Sequence, residues 1–60
     1  MKTVKEIIDM NPQLSNEAIN LINAYDYYAE YIEDLNQYTN AMNRNREIVK
    51  QLNKLGVKTK

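Results

Sequence analysis

Few side chains in this sequence can carry covalent or acid–base chemistry. Its 60 residues include no His, no Cys and a single serine, Ser15. A serine nucleophile needs a neighbouring base to take its proton; Ser15 has no His to serve it and sits where a helix cap belongs. What remains is a group of carboxylates, Asp26, Glu30, Glu33 and Asp34. On a helix these fall along one side, where they could share a divalent cation or work as an acid and base pair. That side lies opposite the apolar positions Leu21, Tyr25, Tyr28 and Ile32, and charges on the polar side of an amphipathic helix need no other cause. The expectation is a protein that is not an enzyme, with no catalytic residue, no metal and no cofactor.

The tyrosines are the second group with something to do. Four of the five lie between Ala24 and Leu35. On a helix, Leu21, Tyr25, Tyr28, Ile32 and Leu35 share one face, while Tyr27, Tyr31 and Tyr38 share another about 100° away. One neighbouring element cannot cover both faces. Tyr25 and Tyr28 are therefore expected in the core, and Tyr27, Tyr31 and Tyr38 on a surface that meets another chain. Tyrosine suits that use, because it brings a large contact area at low entropic cost.

The elements that position these residues can be read from periodicity and punctuation. Val4, Ile7 and Ile8 mark a short helix over 3–10 with Thr3 as its N-cap. Asn11-Pro12 breaks it, since proline disfavours helical geometry in the residue before it and opens a new helix well; Asn11 or Ser15 can cap the second helix. From Ser15 to Leu55 there is neither Gly nor Pro. Two heptad series run through this region. One is Leu14, Ala18, Leu21, Tyr25, Tyr28, Ile32, Leu35, Thr39 and Met42. The other is Tyr27, Tyr31, Asp34, Tyr38, Ala41, Asn45, Ile48, Leu52 and Leu55. A single long helix over 13–55 satisfies both. The alternative breaks it near 39–45, within the Asn-rich stretch Asn36 to Asn45, and gives a three-helix bundle. Gly56 ends the helical region, and residues 56–60 are expected to fray. The fold class is all-α, in one small domain.

Charge is divided along the chain. No basic residue lies between Lys5 and Arg44, whereas Arg44, Arg46, Lys50, Lys54, Lys58 and Lys60 face only Glu47 thereafter, so a formal net charge of zero hides an acidic middle and a basic tail. Arg46, Lys50, Lys54 and Lys58 recur every four residues as a basic stripe, with Ile48, Val49, Leu52 and Leu55 on the other side. A basic amphipathic helix can lie on an anionic membrane, touch RNA or fill a partner's groove; a solvated face on a packed helix explains it as well.

Val4 to Ile22 resembles a helix-turn-helix. Val-Lys-Glu-Ile-Ile, a turn, then Leu-Ser-Asn-Glu-Ala-Ile-Asn-Leu-Ile has the motif's order of apolar and polar positions, and the resemblance implies base contacts from Asn16 and Asn20. The turn holds Pro12 and lacks the usual glycine, and the second helix has no Lys or Arg for phosphates.

A chain of this size buries only about 60% of the surface its unfolded form exposes. Small folds are commonly reinforced by disulfides, metals or oligomerisation, and without Cys or His the last is what this chain has. The absence of Cys fits a reducing compartment. No apolar run approaches the ~20 residues of a membrane span, and the start has no signal-peptide core. The Asn-, Lys-, Ile- and Tyr-rich composition is of the kind encoded by AT-rich genomes, including those of phages. The expected function is accordingly a non-enzymatic protein–protein interaction module: a small cytoplasmic regulator or inhibitor of phage or mobile-element type, which would act in the host cytoplasm. It would self-associate as a coiled-coil homodimer or higher oligomer and occlude a partner protein through Tyr27, Tyr31 and Tyr38, the seam continuing through Ile48, Leu52 and Leu55. Asp26, Glu30, Glu33 and Asp34 on one side and Arg46, Lys50 and Lys54 on the other would set orientation and on-rate, with Asp34 and Asn45 tuning register. A small DNA-binding regulator is the alternative.

Overall fold

Each helix begins at a side chain that accepts a hydrogen bond from its first turn. The Thr3 hydroxyl oxygen accepts from the Glu6 backbone N–H at 3.3 Å. Glu6 Oε1 in turn accepts from the Thr3 N–H at 3.2 Å and from the Thr3 hydroxyl at 2.8 Å, completing a capping box that opens α1, Val4–Met10. Ser15 Oγ accepts from the Ala18 N–H at 3.1 Å and opens α2, Asn16–Ala24. Asp34 Oδ1 accepts from the Gln37 N–H at 2.9 Å and opens α3, Leu35–Lys54. A short 3-10 turn, Ala29–Tyr31, lies between α2 and α3. The computed structural model covers residues 1–60 and contains only helices, turns and extended segments, so the chain is all-α with three α-helices, the last of them long.

The break after Met10 and the capping by Thr3 and Ser15 agree with the sequence expectation. The single helix over 13–55 does not form, and neither does the break near 39–45. The chain leaves helical geometry at Tyr25 and regains it at Leu35, while residues 36–45 are helical throughout. Asn36, Asn40 and Asn43 sit exposed on α3, where an Asn costs only a few tenths of a kcal/mol relative to Ala. Asp26 and Asp34, by contrast, gain more outside a helix than inside one. Asp26 Oδ1 accepts from the Tyr28 N–H at 2.9 Å in an Asx turn, and Asp34 caps α3. The early members of the first series, Ala18 and Leu21, therefore lie on α2 and the later members of the second, Ala41 to Leu52, on α3, two helices folded against each other rather than two faces of one.

Their facing stripes make the core. Ile7 of α1, Ala18 and Ile22 of α2, Ile48 and Leu52 of α3, and Val57 of the tail form one buried cluster, with Met1, Val4, Leu14, Leu21 and Tyr25 packed against its edge. Full burial of each Ile or Leu is worth about 1.5–3 kcal/mol. The core sits toward the C-terminal half of α3. Ahead of it, Ala41 and Ala29 are buried where the 3-10 turn packs on α3.

The tail is not frayed. Gly56 takes φ +79°, which only glycine adopts without strain. It closes α3 in a Schellman motif: the Val57 N–H donates to the Leu52 carbonyl at 3.0 Å and the Gly56 N–H to the Asn53 carbonyl at 3.1 Å. Val57 and Thr59 are buried. Asn11 grips the residue between them: its Nδ2 donates to the Lys58 carbonyl at 2.9 Å, and its Oδ1 accepts from the Lys58 N–H at 2.9 Å. The same Nδ2 donates to the Ile7 carbonyl at 2.7 Å at the end of α1. The Lys2 N–H adds a bond to the Thr59 carbonyl at 3.1 Å. Asn11 thus ties the tail to α1 instead of capping α2.

Candidate interaction surface

The segment Tyr25–Asp34 carries four tyrosines and all four candidate carboxylates, and a side chain from α3 holds its bend in place. Asn45 is 5% exposed. Its Oδ1 accepts from the Asp26 N–H at 2.8 Å, and its Nδ2 donates to the Asp26 carbonyl at 2.8 Å. One carboxamide thereby satisfies both backbone groups of a residue just beyond the end of α2, where helical partners are lost. Asn45 therefore works inside its own chain and does not tune a seam between chains.

With the bend anchored, the tyrosines part. Tyr25 lies at the edge of the core, and its ring meets that of Tyr27 in a tilted pair with centroids 4.8 Å apart. The Tyr27 hydroxyl donates to the Lys2 carbonyl at 2.8 Å. Tyr27 therefore binds the N-terminal segment of its own chain rather than facing outward. Tyr28, expected in the core, is 75% exposed, Tyr31 is 72% exposed, and Leu35, the first residue of α3, is 74% exposed. Ile32 and Tyr38 are half-buried. The outward apolar surface is consequently Tyr28, Tyr31 and Leu35, with Ile32 and Tyr38 at its margin. It overlaps the expected stripe at Tyr31 and Tyr38 and replaces Tyr27 with Tyr28. A recess of about 250 Å³ opens beside it, between the segment and α3, walled by Tyr25, Tyr27, Glu30 and Met42 among others.

Ile48 and Leu52 do not continue this surface. Both are core residues, at 5% and 0% exposed. Leu55, at the C-cap of α3, is 44% exposed at the far end of that helix. The carboxylates have separate environments: Asp26 and Asp34 accept local backbone bonds, and Glu30 and Glu33 are exposed. No group of three or more carboxylate, His or Cys side chains comes together at one point. Arg46, Lys50 and Lys54 are exposed on the side of α3 away from Ala41, Asn45, Ile48 and Leu52. Arg46 donates to Asn43 Oδ1 at 3.1 Å. The one ion pair of the chain joins Lys2 to Glu6 at 3.8 Å.

Two titrations respond to these contacts. Hydrogen bonds from the Thr3 side chain and backbone, helped by the nearby Lys2, hold the Glu6 carboxyl below its ordinary range against a small opposing effect of burial. Burial, then the proximity of Tyr25 and Glu6, pushes the Tyr27 phenol above its ordinary value of 10.0. A depressed carboxyl contributes stability above its unfolded pKa and loses it as the pH falls through its folded one; a raised phenol contributes below its unfolded pKa and loses it as the pH rises through its folded one. The expected result is a stability plateau at neutral pH with a loss on the alkaline side above about pH 10. In Tyr27→Phe that alkaline loss should be smaller. Thermal melts followed by circular dichroism against pH measure both, and identical alkaline limbs would show that Tyr27 is not the responsible group.

The signals for this surface are partly present in the sequence. Asp34-Leu35-Asn36-Gln37 is an N-cap with Gln three residues later, a helix-start signature, and it marks where α3 begins. The Asn45 clamp has no such local signal, since its partner Asp26 lies 19 residues away.

In comparisons with protein-family models, with curated proteins and with solved structures, no match to the chain is found. No helix is long and apolar enough to cross a membrane.

Proposed function

We propose that this protein is a non-enzymatic protein-binding module that docks another protein on the shoulder formed by Tyr28, Tyr31 and Leu35. The carrying observation is their exposure, each above 70%, in an eight-residue stretch fixed at one end by the Asn45–Asp26 pair and at the other by the Asp34 cap. A rigid platform of this kind loses little conformational entropy on binding, and tyrosine is enriched among the residues that dominate interfaces. Monomeric surfaces carry scattered apolar residues without consequence. Three large ones together on an ordered bend, in a chain whose core is small, ask for a cover. The mechanism is occlusion: the shoulder buries against the partner and denies that surface to others, which suits a small regulator or inhibitor. Ser15 is engaged as a cap and no His is present, so covalent chemistry has no support. The DNA-binding alternative is not favoured by any feature of α2, whose exposed residues include Asn16, Asn20 and the acidic Glu17 and no base.

A photocrosslinking amino acid placed at Tyr31, and at Asp9 as an exposed control on α1, tests this. Protein adducts, to a second copy or to another protein of the native cell extract, are expected from position 31 and not from 9. Equal labelling at the two positions, or none at either, would remove the shoulder from consideration.

A further inference from the structure

The shoulder is flanked by acid and the outer face of α3 by base, and the fold keeps them apart. Asp26, Glu30, Glu33 and Asp34 surround Tyr28, Tyr31 and Leu35 with no Lys or Arg between them. Arg46, Lys50 and Lys54 stand exposed farther along α3, turned away from Ala41, Asn45, Ile48 and Leu52 and on the side to which Leu35, about three turns before Arg46, also projects. Neither set pairs with the other, because the only ion pair is Lys2–Glu6. They cannot meet within one chain: α3 is a rigid helix of 20 residues, about 30 Å long at 1.5 Å per residue, in a molecule with extents of 37 × 19 × 17 Å.

From this charge complementarity we infer that the protein docked on the shoulder is a second copy of this chain, lying antiparallel, with the acidic aromatic shoulder of each copy against the Arg46–Lys50–Lys54 stripe of the other. The inference rests on the shoulder being a protein-binding surface and adds which partner it takes. A two-fold arrangement forms the contact twice and closes the assembly at a dimer. Within each contact the methylene stems of Lys50, Lys54 and Arg46 lie over the tyrosine rings, while their charged heads reach Glu30, Glu33 and Asp34. The alternative geometry, one contact per pair running head to tail, would grow into longer assemblies.

Sedimentation equilibrium over a concentration series, at low and at moderate salt, tests the pairing with three proteins: wild type, Glu30→Lys/Glu33→Lys, and Lys50→Glu/Lys54→Glu. All four positions are exposed, and circular dichroism verifies that each variant keeps its helices. Wild type is expected to be a dimer that weakens with salt. Each reversed variant should be a monomer, with the dissociation constant raised about a hundredfold or more by like charges set face to face. An equimolar mixture of the two variants should recover the dimer, because both contacts are then again acid on base. A wild-type monomer at every concentration overturns the inference, as do an assembly that grows beyond a dimer, association that survives both reversals, and a mixture that stays monomeric. Should a variant lose its helices, the salt series on wild type decides, and a dimer insensitive to salt counts against the pairing. A monomer whose Tyr31 probe still labels another protein overturns the second copy and leaves the shoulder standing; an unlabelled monomer removes both.

Discussion

Replacing Asn45 with Ala should lower the stability of the fold by about 1–3 kcal/mol, because it strands the N–H of Asp26 and leaves the Asp26 carbonyl only the Ala29 N–H, at 3.4 Å. A 60-residue chain has about 3–9 kcal/mol in total, so the loss is a large share of it. In a domain this small the midpoint of thermal unfolding should fall by about 5–20 °C. Asn40→Ala is the matched control. Asn40 lies on the same helix, exposed and without a partner, and Ala is the better helix former there, so its midpoint should hold or rise slightly. Equal behaviour of the two variants would mean that the carboxamide of Asn45 does not hold the bend. A rise in helical circular dichroism in Asn45→Ala would mean that the segment after Ala24 prefers to continue α2, as its heptads alone suggest.

Asn45 also marks where the sequence stops being legible. Helix class, the stop at Asn11-Pro12, the Thr3 and Ser15 caps and the Gly56 terminus can all be read, because each is set by residues within a few positions of one another. The bend at Tyr25–Asp34 cannot be read in the same way. It contains no Gly or Pro, and its apolar residues keep a helical rhythm. What bends it is the sum of two Asp side chains that cap better outside a helix and an Asn from α3 that replaces the lost backbone partners. The asparagines of residues 36–45 mislead for the opposite reason: their weak helix propensity is a small cost, outweighed by packing of Ala41, Ile48 and Leu52 along one side of α3. The tyrosines then divide by their position along the bend: Tyr25 and Tyr27 point back to the chain, Tyr28 and Tyr31 away from it.

Two leucines on α3 distinguish this packing from a seam that would run the length of a continuous helix. In that seam Leu52 would face another chain and Leu35 would be covered by its own. The fold reverses both: Leu52 is fully buried among Ile7, Ala18, Ile22 and Val57, and Leu35 is exposed at the start of α3. Leu52→Ala should therefore destabilise by about 2–5 kcal/mol, the range for emptying a packed leucine site, and it should do so at any protein concentration. Leu35→Ala should leave the unfolding midpoint of the isolated chain within the ~0.5 kcal/mol typical of surface changes, yet weaken whatever docks on the shoulder. Unfolding midpoints measured over a hundredfold range of concentration resolve the two terms, since stability drawn from association grows with concentration and stability drawn from the core does not. If the loss in Leu52→Ala faded at low concentration while Leu35→Ala lost stability at every concentration, the buried and exposed faces of α3 would have to be exchanged.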